Sequence, residues 1–218
     1  MDENIIVRLE SEGIVTSTFR KLSPAKKQKL YQAALSCFAG DVFDRVSFDM
    51  IAEAAGLAKA SFFQYFLNKE NLLRFVCEIF IDDYRKFPED YFRRELAVKA
   101  RERIRSFFMA LFDFWQEKKV EFEFYMKMLF ENRRSVSDDF IDRISHLQSQ
   151  YISDIIARGA QTGEIRRDVD PGRISFVLSL VFDGLYRHLP ASVQGRNKRY
   201  RGTLVDGVVA LLFDGIGA

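Results

Sequence analysis

Between Phe48 and Glu70 the chain carries two short helical signals separated by a single glycine, and that break constrains the fold more than any other feature. Ser47 is placed to cap a helix running through Ala55, with Ile51, Ala54 and Ala55 facing inward, and Gly56 stops it. A second short helix is expected over about Ala58 to Phe66. Two helices that cross closely need small residues at the crossing and an apolar residue just after the turn. Ala52, Ala55, Gly56 and Leu57 supply them, which is the pattern of a helix-turn-helix.

The rest of the chain agrees with an all-α class. Only 4 prolines occur among 218 residues, alternating β-branched runs are almost absent, and the helical period dominates. Ser23-Pro24 reads as an N-cap with proline at the first helical position. Leu30, Ala33, Ala34, Cys37 and Phe38 then form a buried stripe that Gly40 closes. Asn68 caps a helix expected to reach about Phe87, just before Pro88. Longer helices are expected near 90–118, 120–132, 137–160, 171–189 and 198–214, interrupted by polar, glycine-containing linkers at 162–170 and 192–197. The implied organisation is an arm or short helix over 1–22, a helix-turn-helix domain over 23–70, and a larger helical domain over 71–218.

On the helix after the glycine, Phe62 and Phe66 are four residues apart and point into the core. Lys59, Ala60, Phe63 and Gln64 therefore face outward, on the side free to enter a major groove. Ser61 and Tyr65 carry hydroxyls at the edges of that face, suited to phosphate oxygens. Lys69 opens the next helix, where its ammonium and the helix N-terminus can together clamp one phosphate. Ser47 joins this set as the cap of the preceding helix.

The run Ile51-Ala52, Gly56, Ala58-Lys59-Ala60-Ser61-Phe62-Phe63-Gln64-Tyr65-Phe66 and Lys69-Glu70 resembles the DNA-binding domain of the tetracycline-repressor (TetR) family of bacterial regulators, over about 50 residues. Three positions depart from the family pattern. Ala58 stands where Ser or Thr often caps the recognition helix, giving up about 1 kcal/mol. Ala60 replaces a common glycine, and Phe63 a common tyrosine with its hydroxyl. A weaker resemblance covers Gly163 to Pro171 and the apolar helix containing Asp183-Gly184-Leu185. The resemblance implies a homodimer on a double-stranded operator, through a four-helix interface built from the helices near 171–189 and 198–214. Val177, Val181, Gly184 and Leu185 are its candidate residues, with Ile174 and Leu178 on the same stripe and Gly184 allowing close approach.

Charge agrees with a basic N-terminal module. Arg20 to Arg74 holds nine basic against five acidic residues, although the whole chain carries only +2. Met1 is followed by acidic residues and no run spans a bilayer, so a cytoplasmic protein without a membrane partner is expected. Cys37 and Cys77 sit in apolar helical stretches and read as small core residues in a reducing compartment. No nucleophile elbow, glycine-rich phosphate loop or His-centred dyad is present, which argues against an enzyme. Neither His146 nor His188 has a partner at metal spacing, and no metal or cofactor is expected. His146, Gln150 and Asp154 share one helical face, either the polar edge of a pocket or a solvent face.

The larger domain is rich in aromatics, among the 22 phenylalanines of the chain. Each at helical spacing is a core candidate, yet together they can line a cavity for an apolar ligand. Phe108, Leu111, Phe112, Trp115, Tyr125, Phe130, Tyr151 and Phe176 are the candidate lining residues. The expected function is a ligand-responsive regulator, a repressor by the family's habit, released by a mostly apolar acyl or aromatic effector. The alternative is a DNA-binding regulator with no small-molecule effector.

Overall fold

A computed structural model describes residues 1–92, 99–131, 135–188 and 198–216. Among them are eleven α-helices: α1 (Glu3–Ser11), α2 (Ser17–Arg20), α3 (Pro24–Gly40), α4 (Phe48–Ala55), α5 (Lys59–Tyr65), α6 (Lys69–Phe92), α7 (Ala100–Glu117), α8 (Lys119–Phe130), α9 (Ser135–Thr162), α10 (Pro171–His188) and α11 (Lys198–Ile216). The expected linker at 192–197 lies outside the described residues. Helix α6 runs past the expected stop, through Pro88 to Phe92. A proline this near a helix end removes only one backbone hydrogen bond, so the last turn persists.

The chain divides into two compact units, Met1–Asp83 with Lys119–Asp142, and Tyr84–Lys118 with Arg143–Ala218. Helix α6 contributes residues to both units, and α8 packs on α3 within the first. Residues 1–22 contain the short helices α1 and α2. Asp2 caps α1, Thr16 caps α2, and Ile6, Leu9 and Phe19 are fully buried. Arg8 bridges to Glu78 of α6 at 2.6 Å, and Lys27 of α3 reaches Glu3 at 3.0 Å. Phe19 packs edge-on against Phe75 of α6 with centroids 5.0 Å apart.

In the second unit three ion pairs join α7 to α11: Arg105–Asp206 at 2.6 Å, Arg201–Asp113 at 3.3 Å and Arg101–Asp214 at 3.5 Å. The turn after α9 is built from side chains that reach back. Glu164 accepts a hydrogen bond from the Ala100 N–H at 2.6 Å, capping α7. Ile165 is buried against Gly159, where an added Cβ would stand 2.8 Å from the Ile165 Cδ1, so that position needs glycine. Asp170 then caps α10 through the Arg173 N–H at 2.9 Å, with Pro171 at the first helical position.

Candidate nucleic-acid interface

The turn between α4 and α5 is closed by backbone hydrogen bonds. Gly56 adopts φ 58° and ψ 41°, the left-handed region that side chains rarely enter. Its N–H donates to Glu53 at 3.0 Å and the Leu57 N–H to Ala52 at 2.9 Å, the paired bonds of a Schellman motif. Ser47 Oγ accepts from the Met50 N–H at 3.2 Å and caps α4, which leaves its own O–H to donate elsewhere. Ala58 makes no side-chain cap for α5. In α4 the inward residues are Ile51, Ala52 and Ala55. Ala54, expected inward, is exposed, because a helix of eight residues turns only one narrow face to its neighbours.

Helix α5 buries Phe62 and most of Tyr65 and exposes Lys59, Ala60, Phe63 and Gln64, with Ser61 half-buried at the edge. Phe63 is 58% exposed, propped edge-on by Phe48 at 5.1 Å. Lys59 pairs with Asp49 at 2.7 Å, both side chains being more than half exposed. An exposed pair of this kind contributes about 0–1 kcal/mol, so Lys59 is readily exchanged to another anion.

Lys69, the expected phosphate clamp, is engaged within the domain. Its ammonium donates to the carbonyls of Phe43 and Val46, each at 2.7 Å, and lies 4.3 Å from the Phe43 ring centroid. The charge staples the loop between α3 and α4 from within the domain. Tyr65 likewise turns its ring into the cluster of Phe19 and Phe62.

Residues 30–76 match the family model of bacterial regulatory proteins, tetR family. The chain is 24% identical over 150 residues to the HTH-type transcriptional repressor KstR2 of Mycolicibacterium smegmatis, covering 67% of this chain and 70% of that protein. A TetR family transcriptional regulator from Chloroflexus aurantiacus has the same fold at a TM-score of 0.68 and 23% identity, over 94% of this chain and 99% of the other. Residues 30–76 form a tetR-family domain. The transcriptional regulator FadR from Bacillus subtilis, solved in complex with stearoyl-CoA, matches at a TM-score of 0.70 and 20% identity, over 87% of this chain and 99% of that one.

The other expected surfaces divide by burial. Phe108, Leu111, Phe112 and Trp115 are buried in the second unit, where Tyr151 is half-buried; Tyr125 is buried and Phe130 half-buried in the first. Phe176 does not belong with them. It is 62% exposed, on the side of α10 that also carries Val177, Leu180 and Val181, while Ser175, Leu178 and Ser179 turn inward. The helical period places Phe176 and Val177 one position either way from the buried residues, so the single stripe expected through Leu178 splits into an inner and an outer face. Gly184 and Leu185 are half-buried.

One buried polar pair was not singled out from sequence. Gln148, 3% exposed, donates to the Tyr84 hydroxyl at 2.9 Å, and Tyr84 stacks on Trp115 with centroids 5.5 Å apart. Burial pushes the Tyr84 phenol well up, so it stays neutral and serves as a fixed polar point beside Trp115. The available signal was a polar residue on the buried Ile144–Ile152 stripe of α9. His146, Gln150 and Asp154 line an open groove of about 490 Å3 together with Tyr151 and Ser175. Among the described residues no group of three metal-ligating side chains gathers, and no helix is long and apolar enough to cross a membrane.

Proposed function

We propose that this regulator acts in the cytoplasm as a homodimeric repressor, reading an inverted-repeat operator and releasing it when a mostly apolar small molecule binds. The observation that carries the reading is the exposed row Lys59, Ala60, Phe63 and Gln64 on α5, set beyond a helix-turn-helix crossing. Lys59, Ser61 and the Ser47 hydroxyl suit phosphate contacts, and Ala60, Phe63 and Gln64 suit base edges and thymine methyl groups. Two copies are required because one short helix reads only a few base pairs. The outer face of α10, with Phe176, Val177, Leu180 and Val181 exposed, supports self-association: an apolar row of this kind is a surface that a partner covers. Gly184 and Leu185 extend that face.

For the effector, the aromatic interior around Phe108, Leu111, Phe112 and Trp115, with the neutral Tyr84–Gln148 pair beside it, favours a long apolar body with one polar attachment. The likeness to a FadR holding stearoyl-CoA supports a long-chain acyl compound as the first to try. No step requires catalysis, a cofactor or a metal. The second reading, regulation without an effector, rests on the tight burial of the same aromatics, which also describes an ordinary core.

Fluorescence anisotropy of an operator duplex, titrated with acyl-CoA thioesters, free fatty acids, aromatic compounds and sugars, separates these readings. Release by acyl or aromatic compounds alone supports the proposal. Indifference to all of them supports the effector-free regulator, and release by sugars alone contradicts the apolar site.

A further inference from the structure

We propose that residues 1–22 form a brace that fixes the pose of the reading helix, with Thr16 as its positioning residue. The proposal rests on the reading of α5 as the DNA-reading helix, and it concerns residues outside the matched family domain, which begins at residue 30. Helix α5 has seven residues and no side-chain cap at its start. Helices this short do not hold themselves in water, and their last carbonyls lack partners within the helix.

Thr16 supplies the missing partners. Its hydroxyl donates to the Gln64 carbonyl, and its backbone N–H donates to the Tyr65 carbonyl at 3.1 Å. The same hydroxyl oxygen accepts from the Phe19 N–H at 3.3 Å, so one side chain both starts α2 and ends α5. Gln64 is thereby held at its backbone by the brace while its side chain faces outward. Behind Thr16, Phe19 packs against Tyr65, Phe66 and Phe75, with centroids 6.1, 5.3 and 5.0 Å away.

The far end of the brace is fastened to α6. Arg8 pairs with Glu78 at 2.6 Å, and the Asn71 amide donates to the Gly13 carbonyl at 2.8 Å. Glu3 fastens it to Lys27 of α3, and Glu10 ties α1 to Arg20 at 2.8 Å. The end of α5 is therefore referenced to α6 through the brace as well as through the direct Phe66–Phe75 contact at 5.4 Å. Loosening Thr16 frays the last turn of α5 and lets the Gln64 side chain wander, while Lys59 and the Ser47 cap stay where they are. Sequence reading then weakens and phosphate binding does not.

The test uses full-length protein with Thr16→Val, which keeps the shape and removes the hydroxyl, and Thr16→Ser, which restores it. Amide hydrogen exchange over 59–67 is followed by mass spectrometry. Affinity is measured for a duplex that the wild-type protein selects from a random library, and for poly(dI-dC). The brace predicts that Thr16→Val speeds exchange over 59–67 about tenfold and weakens the selected duplex about tenfold. Poly(dI-dC) binding stays within about twofold, and Thr16→Ser behaves as wild type in both assays. Unchanged exchange in Thr16→Val overturns the brace. Equal losses on both duplexes, or no rescue by Thr16→Ser, overturn the positioning role. A wild-type protein that selects no duplex overturns the DNA reading itself, and the exchange result still decides whether the brace exists.

Discussion

Replacing Lys69 with methionine separates a structural staple from a DNA clamp. Methionine keeps most of the apolar stem and removes the ammonium that holds the Phe43 and Val46 carbonyls at 2.7 Å. A hydrogen bond to a charged group contributes about 1.5–3 kcal/mol, and the cation over the Phe43 ring adds roughly 0.5–1 kcal/mol. The site is only half-buried, so water replaces part of this, and a net loss of about 2–3 kcal/mol is expected. For a chain of this length that corresponds to a fall of roughly 4–12 °C in the melting temperature. Circular dichroism melts check the stability, and anisotropy across a salt series checks the DNA. The staple predicts a lower melting temperature with an unchanged salt slope. An unchanged melting temperature, with a slope reduced by about one for each Lys69 engaged, would instead place Lys69 on the phosphate backbone.

Leu180→Asp places a charge on the exposed face of α10 and should convert dimers to 25.4 kDa monomers in light scattering, with weak operator binding. Asp49→Asn releases Lys59 from its exposed partner and removes one negative charge near the groove, so affinity for any duplex should rise about two- to fivefold, measured by anisotropy. Gln64→Ala should instead change preference among selected duplexes with little effect on poly(dI-dC), read by competition. Cys37, whose thiol burial pushes up, should react with iodoacetamide at pH 7 more slowly than a small free thiol and gain rate as pH rises, followed by mass.

The helix-turn-helix was legible because its signals are local. Gly56 marks a left-handed turn, Ser47 a cap, and the Phe62–Phe66 spacing an inward face, and each can be read within a few residues of chain. What escaped reading depends on partners far along the chain. Lys69 looks like a cation at a helix start until the Phe43 and Val46 carbonyls, more than twenty residues earlier, are seen to hold it. Thr16 looks like an ordinary cap, and only its bonds to residues 64 and 65 reveal a second use. Phe176 was assigned to a cavity wall because apolar periodicity cannot tell a stripe that faces the chain's own core from one left on its surface.

Whether two copies of α5 read a symmetric duplex is decided by selection from a random double-stranded library with the full-length protein. Paired reading by a dimer predicts enrichment of an inverted repeat whose half-site centres lie about one helical turn apart or a multiple of it. Enrichment of nothing, or of a single unrepeated half-site bound by one chain, would contradict it.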